Sequence, residues 1–307
     1  MLGRFGRDAG SLLGVEIASD SVRILQLHRR RGRRVVAAWA LEPFDTPWRG
    51  DASQDPQPVV DALRRARLRS GSRQCRAAIA LPGSEVICKV CHLSATLSAG
   101  EMEAQLLTDA DRLFPFPLQD LALDFQILGP ASGQPGHVDV LVGACRQGLL
   151  EPLEQLLEDA GLHAEAAEVD SIALGRLLPS ASSASTGLLR LEADSATLHA
   201  WPQGGLPQRL ALRFARSDSW ERRLEGIGQL LHHNLPTIGV EHLWIAASAP
   251  ADEGWAEALK VRLGIPCEPL VPCIDLAAGT DEAATQALLR DFSPMALACG
   301  LALGGAH

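Results

Sequence analysis

The first strong folding signal in the chain is Gly14-Val15-Glu16-Ile17-Ala18-Ser19-Asp20-Ser21-Val22-Arg23. Apolar and polar residues alternate on either side of Ser19-Asp20-Ser21, which is the period of a β-strand, and the small polar residues between them indicate a tight turn. A strand–turn–strand unit of this kind presents backbone N–H groups and hydroxyls to an anion. An acidic residue on its first strand, here Glu16, can hold a hydrated Mg²⁺ beside that anion. The stretch therefore predicts a β-hairpin suited to a nucleotide.

This hairpin extends into a larger antiparallel unit, because His28 to Arg34 indicates a second turn and residues 35–41 a third strand. Farther along, strands alternate with helices. The Ser-rich run at 181–186 interrupts the pattern and is interpreted as a linker, since small polar side chains bury little surface. Hairpin strands followed by alternating strands and helices occur on both sides of it. We therefore expect an α/β protein of two similar halves, residues 1–180 and 187–307.

Composition and charge exclude several functional classes. The chain has 307 residues, with 28 Lys and Arg against 37 Asp and Glu, and the resulting net charge of −9 disfavours nucleic-acid binding. No run approaches the ~18 apolar residues of a membrane-spanning helix. The first 14 residues lack the apolar core of a secretory signal. We therefore expect a cytoplasmic protein whose seven cysteines are free thiols.

Three local signals have a structural and a functional interpretation. Cys88-Lys89-Val90-Cys91-His92 matches the haem-attachment pattern, but residues three apart on a strand point to opposite faces, so we interpret both as strand cysteines that hold neither haem nor metal. The basic run His28 to Arg34 is interpreted as a solvated hairpin tip, with contact to anionic lipid as the alternative. His232-His233 lies on a predicted helix and is interpreted as structural or surface.

The segment 13–27 resembles the first phosphate hairpin of the actin-like ATPases, and in particular that of the PilM family of type IV pilus assembly. The resemblance lies in the combination of segments rather than in any one motif. It continues through 61–66, 71–73, 77–87, 103–118, 123–130, 138–142 and 298–303.

The resemblance implies an actin-like (ribonuclease H-like) fold of two halves, with a small subdomain inserted at about 85–164. The interval from Phe214 to His242 is short, so the second small subdomain is expected to be reduced or missing. Members of the family bind ATP between the halves and bind the N-terminal cytoplasmic tail of the inner-membrane protein PilN. The implied role is a scaffold for pilus biogenesis and twitching motility. It would be cytoplasmic, peripherally associated with the inner membrane, linked through PilN to PilO and PilP, and able to assemble into a ring.

The nucleotide motifs depart from the family pattern. Arg190 stands where a metal-side carboxylate is usual, Glu192 replaces a glycine, and Ala246-Ala247-Ser248-Ala249 replaces a Gly-Gly turn. A carboxylate repels an approaching phosphate, and β-carbons crowd a turn that backbone should approach closely. We therefore expect a pseudo-ATPase with no catalytic residue and no bound cofactor. The alternative is an active ATPase that binds ATP with Mg²⁺ through Glu16. The residues of the vestigial site would be Glu16, Ser19, Asp20, Ser21, Arg23 and Arg190.

The tail of a PilN-like partner is expected in a groove between the first subdomain and the insert, by strand addition. Phe114-Pro115-Phe116-Pro117 is apolar and rigid, so it is predicted to line that groove; the alternative is that both rings fill the core of the insert. A further alternative places the same scaffold in a mannose-sensitive pilus or a type II secretion system.

Overall fold

Two five-stranded sheets with the same strand order frame the molecule, which a computed structural model describes at residues 12–50, 53–179, 185–202, 205–248, 254–271, 282–290 and 292–304. The first sheet contains β1 (Leu13–Ile17), β2 (Ser21–Arg30), β3 (Arg33–Pro43), β4 (Arg76–Leu81) and β8 (His163–Val169). The second contains β9 (Thr186–Leu191), β10 (Ser195–Trp201), β11 (Gln208–Arg213), β12 (His242–Ala247) and β13 (Cys267–Pro269). Their orders are β3-β2-β1-β4-β8 and β11-β10-β9-β12-β13. In both, the first three strands pair antiparallel and the last two join in parallel.

Helices cover the outer faces of both sheets. The outer helices are α1 (Gln57–Ser70) and α4 (Gln147–Asp159) on the first sheet, and α6 (Trp220–Ile238) and α7 (Gly254–Leu263) on the second. Helix α1 forms because Val59, Leu63 and Ala66 recur at helical spacing and are buried against the sheet. It ends at Gly71, whose φ of 68° is the left-handed conformation that glycine adopts without strain.

The layer between the two sheets contains α5 (Asp170–Gly175), α8 (Glu282–Arg290) and α9 (Ala296–Gly304). Although α9 ends the described chain, it packs against β1 and β2 of the first sheet and against α5. Gly14 allows this approach, because a β-carbon there would overlap the carbonyl oxygen of Ala298. The interval 187–307, expected to be the second half, thus contributes its last helix to the first.

The insert is a three-stranded sheet with helices on one face. It contains β5 (Ile87–Ser94), α2 (Ala99–Thr108), α3 (Ala110–Leu113), β6 (Leu121–Pro130) and β7 (His137–Arg146), with strand order β5-β7-β6. Its core lies between the sheet and α2, where Met102, Leu106 and Val142 are buried. The insert ends at β7, earlier than the expected boundary near 164, because α4 packs on the first sheet and β8 pairs with β4.

Among the described residues of the second half there is no comparable insert, and the chain between β11 and β12 forms one helix, α6. This topology agrees with the expected actin-like fold of two α/β halves and with a reduced second small subdomain. Residues 181–184 of the expected linker lie outside the described residues, and β9 begins at Thr186. Within the described part, none of the helices is long and apolar enough to cross a membrane.

Candidate functional site

Equivalent hairpins of the two halves meet in the cleft between the sheets. The turn from β1 to β2 is closed by a hydrogen bond from Ala18 N to Ser21 O (2.9 Å), and the turn from β9 to β10 by one from Glu192 N to Ser195 O (2.8 Å). Ser19 Oγ lies 3.5 Å from Asp194 Oδ1 across the cleft. All six residues predicted from the sequence for the nucleotide site are brought together here, on β1, on β2, in the turn between them and on β9.

Salt bridges between the halves fill this cleft. Arg190 Nη2 donates to Glu16 Oε1 (2.5 Å) and to Glu192 Oε1 (2.6 Å). Arg23 Nη2 donates to Glu192 Oε2 (3.1 Å) and to Asp20 Oδ1 (3.1 Å), and Arg23 Nη1 lies 3.4 Å from Glu16 Oε1. Each half therefore supplies one arginine and at least one carboxylate, and we call these five residues the cleft ion network.

Three of the five side chains in the network are almost closed to solvent, whereas Asp20 is 31% exposed. The side chains of Arg23, Glu16 and Arg190 are 1%, 6% and 11% exposed. Burial opposes the positive charges of Arg23 and Arg190, yet the neighbouring carboxylates outweigh burial and raise the pKa of both arginines. Burial likewise opposes the charge of Glu192, but Arg190 and Arg23 outweigh it and lower its pKa. Arg23, Arg190 and Glu192 are therefore charged at neutral pH.

This arrangement does not fit a magnesium nucleotide. Glu192 stands where the family resemblance implies a glycine, and the two arginines that a phosphate could have contacted are held by carboxylates. Oε2 of Glu16 is shielded and receives no hydrogen bond within the described part of the chain, while Oε1 of the same carboxylate lies between the guanidinium groups of Arg23 and Arg190. A single carboxylate held in this way is not the oxygen-rich shell that Mg²⁺ requires. On the adenine side, Ala246 is buried in the central layer, whereas Ala249 lies outside the described residues.

A groove between the insert and the first sheet is the second candidate site. It includes a cavity of about 220 Å³ that continues into a smaller apolar cavity. Both are lined by residues of β5, β7, β8 and α5 or by the residues that flank these elements: Val86, Cys88, Leu141, Val169 and Ile172. The larger cavity reaches Arg209 of the second half, and the smaller one reaches Asp124 on β6. The groove thus runs over the face of the insert sheet that α2 does not cover.

Asp124 is the one ionisable carboxylate among the described residues that line the groove. Its Oδ1 accepts a hydrogen bond from the backbone N–H of Phe125 (2.8 Å), and burial raises its pKa from 3.8 to about 6. The sequence predicted a groove between the first subdomain and the insert, but it did not single out Asp124 as one of the lining residues. The available signal was that β5 and β7 carry apolar side chains on both faces, which indicates a second contact surface beside the insert core.

The segment Phe114-Pro115-Phe116-Pro117 lies on the other face of the insert sheet. Phe114 is 3% exposed within the insert core, and Phe116 is half-buried against the same core. Lys89 Nζ lies 5.6 Å from the centre of the Phe114 ring. The prediction that Phe114 lines the groove is therefore wrong, because its ring is buried in the insert core, on the opposite face of the sheet from the groove. Pro115 and Pro117 are exposed.

The cysteine pair, the basic run and the histidine pair lie on a strand, at a hairpin tip and on a helix. Cys91 packs against the insert core, whereas Cys88 faces the groove, so the two thiols lie on opposite faces of β5. In the basic run, His28, Arg29, Arg31 and Arg33 are exposed at the tip of the β2–β3 hairpin. His232 and His233 are exposed on α6.

A family model described as "Type IV pilus assembly protein PilM" matches residues 14–186, more than half of the chain. The chain belongs to the PilM family. The match spans the first half with its insert, so both candidate sites of this PilM family member draw residues from the matched region.

Solved structures show the same fold. A chain of a complex described as "PilM-PilN type IV pilus biogenesis complex" superposes with a TM-score of 0.75 at 21% identity, over 97% of this PilM family member and 99% of that chain. The ethanolamine utilization protein EutJ from Carboxydothermus hydrogenoformans superposes with a TM-score of 0.54 at 10% identity, over 99% and 93% of the two chains. At these identities the likeness concerns the fold.

Proposed function

We propose that this protein is a scaffold of the inner-membrane type IV pilus assembly platform. In this role it binds the N-terminal cytoplasmic tail of a PilN-like membrane protein. Family membership and the fold shared with a PilM chain from a PilM–PilN complex support the proposal. Recruitment through that tail would keep the protein on the cytoplasmic side, peripheral to the membrane and next to PilO-like and PilP-like proteins, with self-association into a ring as part of the same assembly.

The observation that carries the proposal is the groove over the uncovered face of the insert sheet. Val86, Leu141, Val169 and Ile172 give it apolar walls, which suit the apolar side chains of an extended peptide. Buried apolar contacts of this kind contribute roughly 25 cal/mol per Å² removed from water. A tail that inserts a few apolar side chains into the groove would therefore gain several kcal/mol.

The edge of the first sheet gives the tail a backbone partner. β8 is the outermost strand in the order β3-β2-β1-β4-β8, and its residues Ala167 and Val169 line the groove. An extended tail can pair its main chain with such an edge while alternate side chains enter the apolar cavities. This is the strand-addition mode expected from the sequence, now assigned to β8.

Gly143 of β7 gives a direct test. A β-carbon at Gly143 would meet only Val86 Cγ1, at 4.0 Å, so a leucine there can fill the groove without displacing the backbone. We expect Gly143→Leu to weaken binding of a fluorescent peptide with the partner's N-terminal cytoplasmic sequence at least 10-fold. Gly100→Leu is the control, since Gly100 lies on α2, across the insert sheet from the groove, and has open space around it. Equal binding by both variants, or no binding by the wild type, would refute the proposal.

We propose in addition that the protein is a pseudo-ATPase. The support is the cleft ion network, in which Arg23 and Arg190 neutralise Glu192 and Glu16 at the position that a nucleotide would take. A phosphate entering there would have to separate buried ion pairs that are already satisfied. The halves would then stay together through their own charges, with no cofactor required.

A further inference from the structure

Asp124 occupies an unusual position in the groove. It lies on β6 opposite Gly143 of β7, and Gly143 in turn lies opposite Cys88 of β5. All three residues line the smaller cavity, so they share the face of the insert sheet that α2 leaves uncovered. Because Gly143 has no side chain, space is left directly beside the Asp124 carboxylate.

One oxygen of this carboxylate has no partner. Oδ1 accepts the hydrogen bond from Phe125 N, but Oδ2 is shielded from solvent and no donor in the described part of the chain reaches it. A buried acceptor left without a hydrogen bond is destabilising, and a buried carboxylate is more so. Folding alone therefore gives no reason for an aspartate at this position.

The surroundings of Asp124 indicate what could use that oxygen. The other nine residues that line the smaller cavity are uncharged, and eight of them are apolar or glycine: Leu81, Val86, Cys88, Leu141, Gly143, Ala167, Val169 and Ile172. The ninth, Gln126, lies two residues farther along β6 and is exposed. A ligand suited to this cavity is therefore mostly apolar and carries one hydrogen-bond donor at a defined place.

We propose that Asp124 accepts a hydrogen bond from an N–H donor side chain of the bound tail, and so fixes the register of the tail in the groove. This inference rests on the proposed function. The donor class comprises the side-chain amides of Asn and Gln and the cationic groups of Lys and Arg. Apolar contacts alone would allow the tail to slide by one pocket, whereas a donor opposite a single buried acceptor permits one position.

The experiment is a double-mutant cycle between the protein and the tail. Asp124→Leu removes the acceptor, and Gln126→Leu is the matched control on the same strand and face. Each donor side chain of the synthetic N-terminal tail peptide is replaced in turn by leucine. Fluorescence anisotropy measures every combination, and thermal unfolding verifies that the variants are folded.

We expect Asp124→Leu to weaken binding of the wild-type peptide about 10- to 100-fold, as for the loss of a charge-assisted hydrogen bond. Gln126→Leu should weaken binding of the same peptide less than 3-fold. One of the leucine replacements in the peptide should weaken its binding to the wild-type protein. The same replacement should weaken binding to the Asp124→Leu variant little further. Whether that residue is an amide or a cation identifies the donor. Tight binding by Asp124→Leu, equal losses in both variants, or a loss that no side-chain replacement shares would overturn the proposal. If the peptide does not bind the wild type, or if Gly143→Leu binds it normally, the proposed function itself fails.

Discussion

Glu16 and Arg190 occupy equivalent positions in the two halves, and their side chains form a buried salt bridge across the cleft (2.5 Å). Each is the penultimate residue of the first strand in its sheet, Glu16 in β1 and Arg190 in β9. The duplicated architecture therefore places opposite charges at matching points, where two hairpins meet. Arg23 and Glu192 form a second salt bridge (3.1 Å), in which the first half supplies the arginine and the second half the carboxylate. The two salt bridges together hold the halves in contact.

The first prediction concerns Arg190. Arg190→Met leaves the buried carboxylates of Glu16 and Glu192 with one arginine between them, and we expect a loss of about 3 kcal/mol in the free energy of unfolding. Urea denaturation measures it. Arg213→Met, an exposed arginine on the same sheet, is the control and should change stability by less than about 0.5 kcal/mol. The double variant Glu16→Met with Arg190→Met should cost less than the sum of the single changes; strict additivity would contradict a coupled network.

The second prediction concerns ATP. Because both arginines of the cleft ion network are already paired with carboxylates, calorimetric titration with ATP and Mg²⁺ should show no binding stronger than the millimolar range and no turnover. Sub-micromolar binding that Glu16→Ala abolishes would show that the cleft opens to accept a nucleotide, contrary to the pseudo-ATPase proposal.

The third prediction follows from the pKa of Asp124. Burial raises it from 3.8 to about 6, so between these pH values the folded protein holds a proton that the unfolded chain releases. Ionised Asp124 therefore lowers stability above pH 6, and this penalty disappears as the pH falls below about 4. Asp124→Asn should be more stable than the wild type by about 1–2 kcal/mol at pH 7.5, a value reduced from the full shift because Asp124 is partly exposed.

The difference between Asp124→Asn and the wild type should vanish near pH 4, as followed by urea unfolding across the pH range. Gln126→Leu, which changes no ionisable group, should show a pH-independent difference. A stability gain for Asp124→Asn that grows towards acid pH would contradict the assigned direction of the shift.

The fourth prediction concerns the packing of α9. A β-carbon at Gly300 would overlap the carbonyl oxygen of Ala173 in α5, so the two helices must separate to accept Gly300→Ala. We expect a loss of about 2–3 kcal/mol and a lower thermal midpoint. Gly100→Ala, on α2 with open space around it, should be neutral or slightly stabilising. Equal stability of the two variants would show that α9 does not pack tightly in solution.

The local units follow from the amino-acid sequence alone. The alternation of apolar and polar residues around Ser19-Asp20-Ser21 specifies the β1–β2 hairpin. The basic run specifies the tip of the β2–β3 hairpin, where Arg31 and Gly32 have positive φ. The family resemblance also predicted that Glu16, Arg23 and Arg190 share one site. These features are encoded by residues close in sequence or by order along the chain, which pattern analysis can interpret.

Tertiary structure alone decided the rest, because the deciding contacts join residues far apart in the chain. Glu192 was expected to repel a phosphate, yet Arg23, 169 positions away, neutralises it. Phe114 was assigned to a groove, but the insert sheet has two apolar faces and no pattern tells which one α2 covers. Helix α9 packs against the first half because Gly14 permits a backbone contact with Ala298, near the other end of the chain, and Gly300 permits one with Ala173. Asp124 became a candidate recognition residue only when β6, β7 and β8 were brought around one cavity.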